Sequence, residues 1–202
     1  DPHKWFYMPF SAGGILVREG DALRHAFLVH PEYYMEFDDH GRRVAPDGRS
    51  FHMGDKVNFF QYGVEGSRRF NALKVWMALK LIGRRQFGAW VENDIYLARL
   101  LSAILRRERD FELLGPNTLG ICNFRWAPRN PQGQPRFNDR DTDRLNRQLQ
   151  ELVEREGDAW FSTTVLHGRV ALRVNVENRR MRREHIERLV RVLRGSADRI
   201  LQ

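Results

Sequence analysis

The chain has 202 residues, 42% of them hydrophobic and 11% aromatic, which is enough to bury a core and excludes a disordered segment. Its formal net charge of +8 would attract a polyanion if the basic residues were gathered, but they are almost all arginines interleaved with acids, as in REGDALR, RRERDFE and RREHIER. A lone cysteine, Cys122, excludes a disulfide within the chain, and no apolar run reaches the roughly 20 residues of a membrane helix, so the expectation is a cytoplasmic protein with no membrane contact.

The sequence opens on DPHKWFYMPF, with a lysine set between a histidine and an aromatic run. An exposed lysine needs no such neighbours, whereas one that spends part of its time uncharged gains from apolar walls that disfavour the ammonium form. Residues 14–17 read as a short apolar strand, Glu19 and Gly20 as a turn, and the residues through Leu28 as a helical turn. Residues 30–66 are rich in Gly, Asp, Pro and His without a sustained period, and a loop of that length is more often functional than idle.

From 70 to 82, FNALKVWMALKLI is apolar on nearly every face, predicting a helix buried almost all round and stopped by Gly83. Lys74 and Lys80 would snorkel from it, and Arg68 and Arg69 at its start read as ion-pair partners. The next segment places Phe87, Trp90, Val91, Leu97, Leu101 and Leu105 on one stripe of a long amphipathic helix. At Pro116 the pattern shifts from helical to extended, with a strand over 118–126 and then a Pro- and Gly-rich loop. Asp139 or Asp141 then caps a helix that Gly157 ends. FSTTVLHGRVALRVNV reads as a hairpin turning at His167 and Gly168, and Asn178 precedes a last helix. Strand, helix, two strands and helix make an α+β sandwich with one helical face.

Chemistry points first to Asp1-Pro2-His3-Lys4-Trp5. A lysine amine is a nucleophile toward aldehydes, and a Schiff base with pyridoxal phosphate provides an electron sink for bonds at an amino acid's Cα. From the pentapeptide alone, a surface lysine beside a packed tryptophan is the preferred reading. The histidines are scattered without paired ligand spacing or cysteine partners, so no metal site is expected.

Three motifs together carry a resemblance: His3-Lys4-Trp5, Pro31-Glu32-Tyr33 with Tyr33 29 residues after Lys4, and Gly66-Ser67-Arg68-Arg69-Phe70 leading into Ala72-Leu73-Lys74-Val75-Trp76. In order and spacing they resemble the pyridoxal-phosphate-dependent group II amino acid decarboxylases, among them the aromatic L-amino acid, histidine, glutamate and diaminobutyrate decarboxylases. The similarity continues through Phe124-Arg125, Leu172-Arg173 and Asn178.

The resemblance implies an α/β architecture, the C-terminal part of a fold type I (aspartate aminotransferase-like) enzyme. Residues 1–115 would be the end of the cofactor-binding large domain, with an active-site loop over 30–66, and residues 116–202 a small α+β C-terminal domain. Lys4 matches the Schiff-base lysine, and His3 the histidine that lies against the cofactor. Asp1 falls where the family often has an asparagine on the cofactor phosphate, although a carboxylate there would repel that dianion. Tyr33 matches the mobile-loop tyrosine that returns a proton to the substrate carbon, with Tyr34 as its rival. Ser67 matches a glycine or serine reaching into the neighbouring subunit's site.

The activity implied is decarboxylation of an L-amino acid to its amine and carbon dioxide, with pyridoxal 5'-phosphate as cofactor. The implied partners are a second copy in a homodimer and an N-terminal portion of the same enzyme, which would carry the residues that hold the cofactor ring. Two other readings stand beside this one: another carbon-carbon lyase using the same cofactor, and a non-catalytic basic module binding nucleic acid through its arginines.

Overall fold

The computed structural model describes residues 1–27, 43–44, 50–51 and 59–202. It divides into two compact units, one formed by Asp1–Phe10 with Lys74–Gln202, the other by Ser11–Leu73. In the Ser11–Leu73 unit, helix α1 (Ala22–Phe27) packs on a 3-10 turn at Phe59–Tyr62, and the short strands β1 (Arg43–Val44) and β2 (Ser50–Phe51) pair antiparallel. Residues 14–17 form no strand: Ile15 and Leu16 lie exposed. Four apolar residues make a strand only where another strand takes their backbone hydrogen bonds, and among the described residues none does.

Helix α2 (Asn71–Ile82) crosses the division between the units, and α3 (Arg84–Leu105) follows after Gly83, whose φ of 79° suits glycine. The helix expected over 70–82 therefore forms, but none of its residues is buried, and Leu81 is 87% exposed. An apolar sequence states a need for cover without saying what supplies it. Lys74 and Lys80 therefore have no buried helix to snorkel from: Lys74 Nζ donates to the Pro9 carbonyl at 3.0 Å, and Lys80 lies over the Trp76 ring.

The larger unit is built on an antiparallel sheet ordered β3 (Phe111–Leu113), β4 (Ile121–Trp126), β6 (Arg169–Asn175), β5 (Ser162–Leu166). Helices α3 and α4 (Asp139–Glu156) pack against its strands, and α5 (Arg183–Ile200) packs against both helices. Strand β4 begins later than its sequence reads, at Ile121. Asn117 takes a left-handed φ of 44° and its Oδ1 accepts the Asn123 N–H at 2.8 Å, so the chain turns before it extends. Strand β3 has no sequence signal of its own and precedes the shift of pattern at Pro116, yet it pairs with β4 through Phe111 opposite Trp126.

The β5–β6 hairpin forms as read, with His167 and Gly168 both at positive φ, 50° and 74°, the twist that two-residue hairpin turns require. Helix α4 is capped by Asn138, one residue before the expected aspartates: its Oδ1 accepts the Asp141 N–H at 2.9 Å. The helix ends at Gly157 in the left-handed region. Leu145, Leu149 and Val153 on α4 meet Ile186, Val190 and Leu193 on α5, one apolar stripe against the other over Phe124 and Leu172 of the sheet.

Charges are paired at the edges of this core. Arg125, 1% exposed, donates to Asp139 and to Asp143, both at 2.8 Å, and Asp143 also accepts the Val170 N–H. Asn146 clamps β4 to α4 by accepting the Trp126 N–H at 2.9 Å and donating to the Trp126 carbonyl at 2.8 Å. Four of the five arginines of α5 are likewise engaged: Arg183 with Glu187, Arg188 with Asp158, Arg194 with Glu108, Arg199 with Glu156. That arrangement fits a solvated face better than a groove for a polyanion.

Candidate active site

The residues around Lys4 form a tight double turn. Lys4 N–H donates to the Asp1 carbonyl at 3.1 Å, Tyr7 N–H to the Lys4 carbonyl at 2.7 Å, and Met8 N–H to the Pro2 carbonyl at 3.2 Å. The last step of the turn places Tyr7 at φ 50°, a region costly for a residue with a Cβ.

The aromatic run explains how such a turn is held. Trp5 lies against Gly120, where a Cβ would come 3.4 Å from the indole and 3.0 Å from the Val176 carbonyl oxygen, a tight fit for any larger residue. Phe6 packs at 5.2 Å from Phe87, and Tyr7 sits edge-on to Trp90 at 5.6 Å between ring centres. The Arg179 guanidinium adds a further contact to Trp90, at 5.3 Å from the ring centre. Each aromatic following Lys4 thus seats on α3 or on the loops beside β4 and β6.

Within this turn the structure brings Asp1, His3 and Lys4 together. Lys4 Nζ lies 2.9 Å from Asp1 Oδ2, and its side chain is 61% exposed. His3 is more sheltered: its ring stacks on Phe10 at 4.3 Å and 24°, and Nε2 lies 3.8 Å from Asp1 Oδ2. One carboxylate therefore faces both the ammonium and the imidazole. An accessible amine beside a shielded flat ring fits covalent attachment of an aldehyde cofactor, and the Asp1 carboxylate is engaged by Lys4.

Ser67 belongs to the Ser11–Leu73 unit, where it lines a cleft of about 970 Å³ with Ser11, Phe59, Arg68 and Phe70. Arg68 lies over the Phe59 ring at 5.3 Å, a cation–π contact where the sequence reads an ion pair. Tyr33, Tyr34 and most of the 30–66 loop lie outside the described residues. Among the described residues, no group of three or more His, Cys, Asp or Glu could hold a metal ion, and no helix is long and apolar enough to cross a membrane.

Sequence reasoning missed Asp94. It sits in the middle of the apolar stripe of α3, fully buried, and accepts a hydrogen bond from the Tyr7 hydroxyl. Burial, first of all, pushes the Asp94 carboxyl above the ordinary carboxylate range; the Tyr7 hydrogen bond and the Asn178 backbone N–H pull it down, and nearby Glu177 pushes it up. Tyr7 is raised in turn, by burial and then by Asp94. The signal was available: position 94 falls on the same stripe as Phe87, Trp90, Leu97, Ala98 and Leu101, where a carboxylate is out of place.

With this geometry in view, the comparisons with known proteins fall into one pattern. Residues 1–127 match the pyridoxal-dependent decarboxylase conserved domain. The chain is 30% identical over 200 residues to an aromatic-L-amino-acid decarboxylase of Bacillus atrophaeus, covering 99% of this chain and 38% of that protein. It is 25% identical over 199 residues to a phenylacetaldehyde synthase of Arabidopsis thaliana, covering 98% and 37%.

Among solved structures, that of Oryza sativa TDC with PLP and tryptamine superposes with a TM-score of 0.76 at 21% identity, covering 92% of this chain and 35% of that one. Mouse CSAD superposes with a TM-score of 0.78 at 17% identity, covering 98% and 39%. The chain thus spans less than two-fifths of the length of these relatives. Its mixed α/β fold with a small antiparallel sheet is that of a C-terminal part of these enzymes. The chain belongs to the pyridoxal-dependent decarboxylase family.

Proposed function

We propose that this chain is the C-terminal part of an enzyme that decarboxylates an L-amino acid to its amine and carbon dioxide, with pyridoxal 5'-phosphate joined to Lys4. The observation that carries the reading is the family match over residues 1–127, which begins at the turn where the Lys4 amine stands accessible beside a stacked imidazole. Residues 1–115 close the large domain and 116–202 form the small one. The rest of the large domain and a second copy in a homodimer complete the site, with Ser67 reaching toward the neighbour, and the working compartment is the cytoplasm.

Pyridoxal phosphate supplies, when bound, a conjugated ring that takes up the electron pair left as a carboxylate departs from Cα. The chain's own residues do the rest. Lys4 provides the amine, and Asp1 holds its charge until the aldehyde arrives. His3, immobilised on Phe10, offers a flat wall at the attachment point. Tyr33 supplies the proton that replaces carbon dioxide on the substrate carbon, from a loop that also keeps water out.

The decisive experiment incubates the intact protein that carries this chain with a panel of L-amino acids and measures carbon dioxide and amine. Release of both from at least one amino acid, with a borohydride-trapped adduct on Lys4, is the expected result. Absence of an adduct on Lys4 would sink the reading. Aldehyde synthases stand among the relatives, including one from Rhodiola rosea with a TM-score of 0.63, so the products must be resolved. Tyr33→Phe is expected to turn output from amine toward aldehyde, and unchanged amine output would transfer the proton to Tyr34 or another donor.

A further inference from the structure

We propose that Asp94 is a positioning residue for Lys4, holding the lysine turn through the Tyr7 hydroxyl without touching any reacting atom; this rests on the reading of Lys4 as the cofactor lysine. Asp94 is fully buried, its Oδ2 accepts from Tyr7, and its Oδ1 has no hydrogen-bond partner. A carboxyl half satisfied inside an apolar stripe is unfavourable to folding, so its presence calls for a reason.

The reason lies one step along the backbone. Tyr7 is held in a left-handed conformation at φ 50°, and its N–H closes the turn onto the Lys4 carbonyl at 2.7 Å. The ring is gripped at both ends: its edge meets Trp90, one turn before Asp94 on the same face of α3, and its hydroxyl meets Asp94 itself. With Tyr7 fixed, the Lys4 carbonyl is fixed, and the Lys4 N–H bonded to the Asp1 carbonyl fixes the other side of the residue. The root of the reactive side chain is set by α3, at a point 90 residues along the chain, by the difference of 94 and 4. Burial also favours the protonated form of Asp94, so an amide of the same shape keeps the acceptor that Tyr7 uses.

The test compares Asp94→Asn, Asp94→Leu, Tyr7→Phe and Lys4→Ala in the intact protein. Formation of the Lys4–cofactor bond is followed by absorbance after adding pyridoxal phosphate to cofactor-free protein. In the same cofactor-free protein, acylation of Lys4 by a limiting amine reagent is measured by peptide mass spectrometry against Lys80. Asp94→Leu and Tyr7→Phe are expected to slow bond formation at least about tenfold and to shift the Lys4:Lys80 ratio, while Asp94→Asn stays within about twofold, since misplacement on the order of 1 Å costs up to about 100-fold.

Wild-type rates and ratios in both Asp94→Leu and Tyr7→Phe would overturn the proposal, as would an Asp94→Asn as slow as Asp94→Leu. Should Asp94→Leu fail to fold, Tyr7→Phe decides, because it keeps the ring on Trp90. Lys4→Ala separates the two ideas. A surviving cofactor band there overturns the lysine reading together with the positioning role, whereas loss of the band with wild-type behaviour in the other variants overturns the positioning role alone.

Discussion

Lys4 is exposed at its tip and tied down at its root. The side chain is 61% exposed and its amine meets Asp1, while the backbone beneath it is tied into two turns whose aromatic residues rest against α3 and the loops beside β4 and β6. The aromatic run therefore has a different purpose from the one its sequence suggests: Trp5, Phe6 and Tyr7 anchor the backbone and leave the amine uncovered.

Asp94 gives this scale its pH signature. The groups that face it are Tyr7 from the turn and Glu177 and the Asn178 N–H from the loop after β6, with Arg179 nearby on Trp90. Its carboxyl is raised above 3.8, so between that value and its raised value the folded chain binds more protons than the unfolded one. The stability it contributes is fully present below the unfolded value and is lost as pH rises through the folded one. Thermal midpoints of wild type and Asp94→Asn, compared from about pH 4 upward, are expected to show wild type losing ground as pH rises; parallel curves would contradict this.

At the scale of elements, the parts that could be read ahead were those specified by local chemistry. His167 and Gly168 name a hairpin turn, Gly157 names a helix end, and the period of Leu145, Leu149 and Val153 names the buried face of α4. What escaped was structure defined by partners. Phe111 to Leu113 become a strand because β4 offers an edge, and residues 14–17 stay irregular because no described neighbour does. Asp94 hid inside an apolar period that describes its helix well.

The α4–α5 seam carries its own expectation: Leu149→Ala, at a fully buried position, should lower stability by roughly 2–5 kcal/mol in chemical denaturation. Cys122 offers a probe of the same core. Burial pushes its thiol up to about 11, so it should resist alkylation near neutral pH until the sheet unfolds. Rapid alkylation without unfolding would show that the β4 region opens locally.

For the molecule as a whole, the buried core and the exposed apolar surface lie in different places. The core gathers where α3, α4 and α5 meet the sheet, whereas Trp76, Met77 and Leu81 of α2 face outward. Trp76→Gln with Leu81→Gln should change the stability of the 202-residue chain by no more than about 0.5 kcal/mol per site, as is usual for exposed positions. In the intact protein the same pair is expected to cost more, because the proposed remainder and second subunit give those side chains something to lose. Equal cost in both would argue that α2 stays bare in the working assembly. The sequence could announce α2 as apolar, but no local pattern names what covers it, and in the proposed assembly that cover is other polypeptide.

Gly120 joins these scales. Because a methyl group at 120 would press on both the Val176 carbonyl and the Trp5 indole, the platform beneath the lysine and the entrance to the central strand are a shared wall. Heat that melts the sheet must also release the amine, and whatever clamps the amine must brace the sheet against heat, so the two losses should arrive at one temperature.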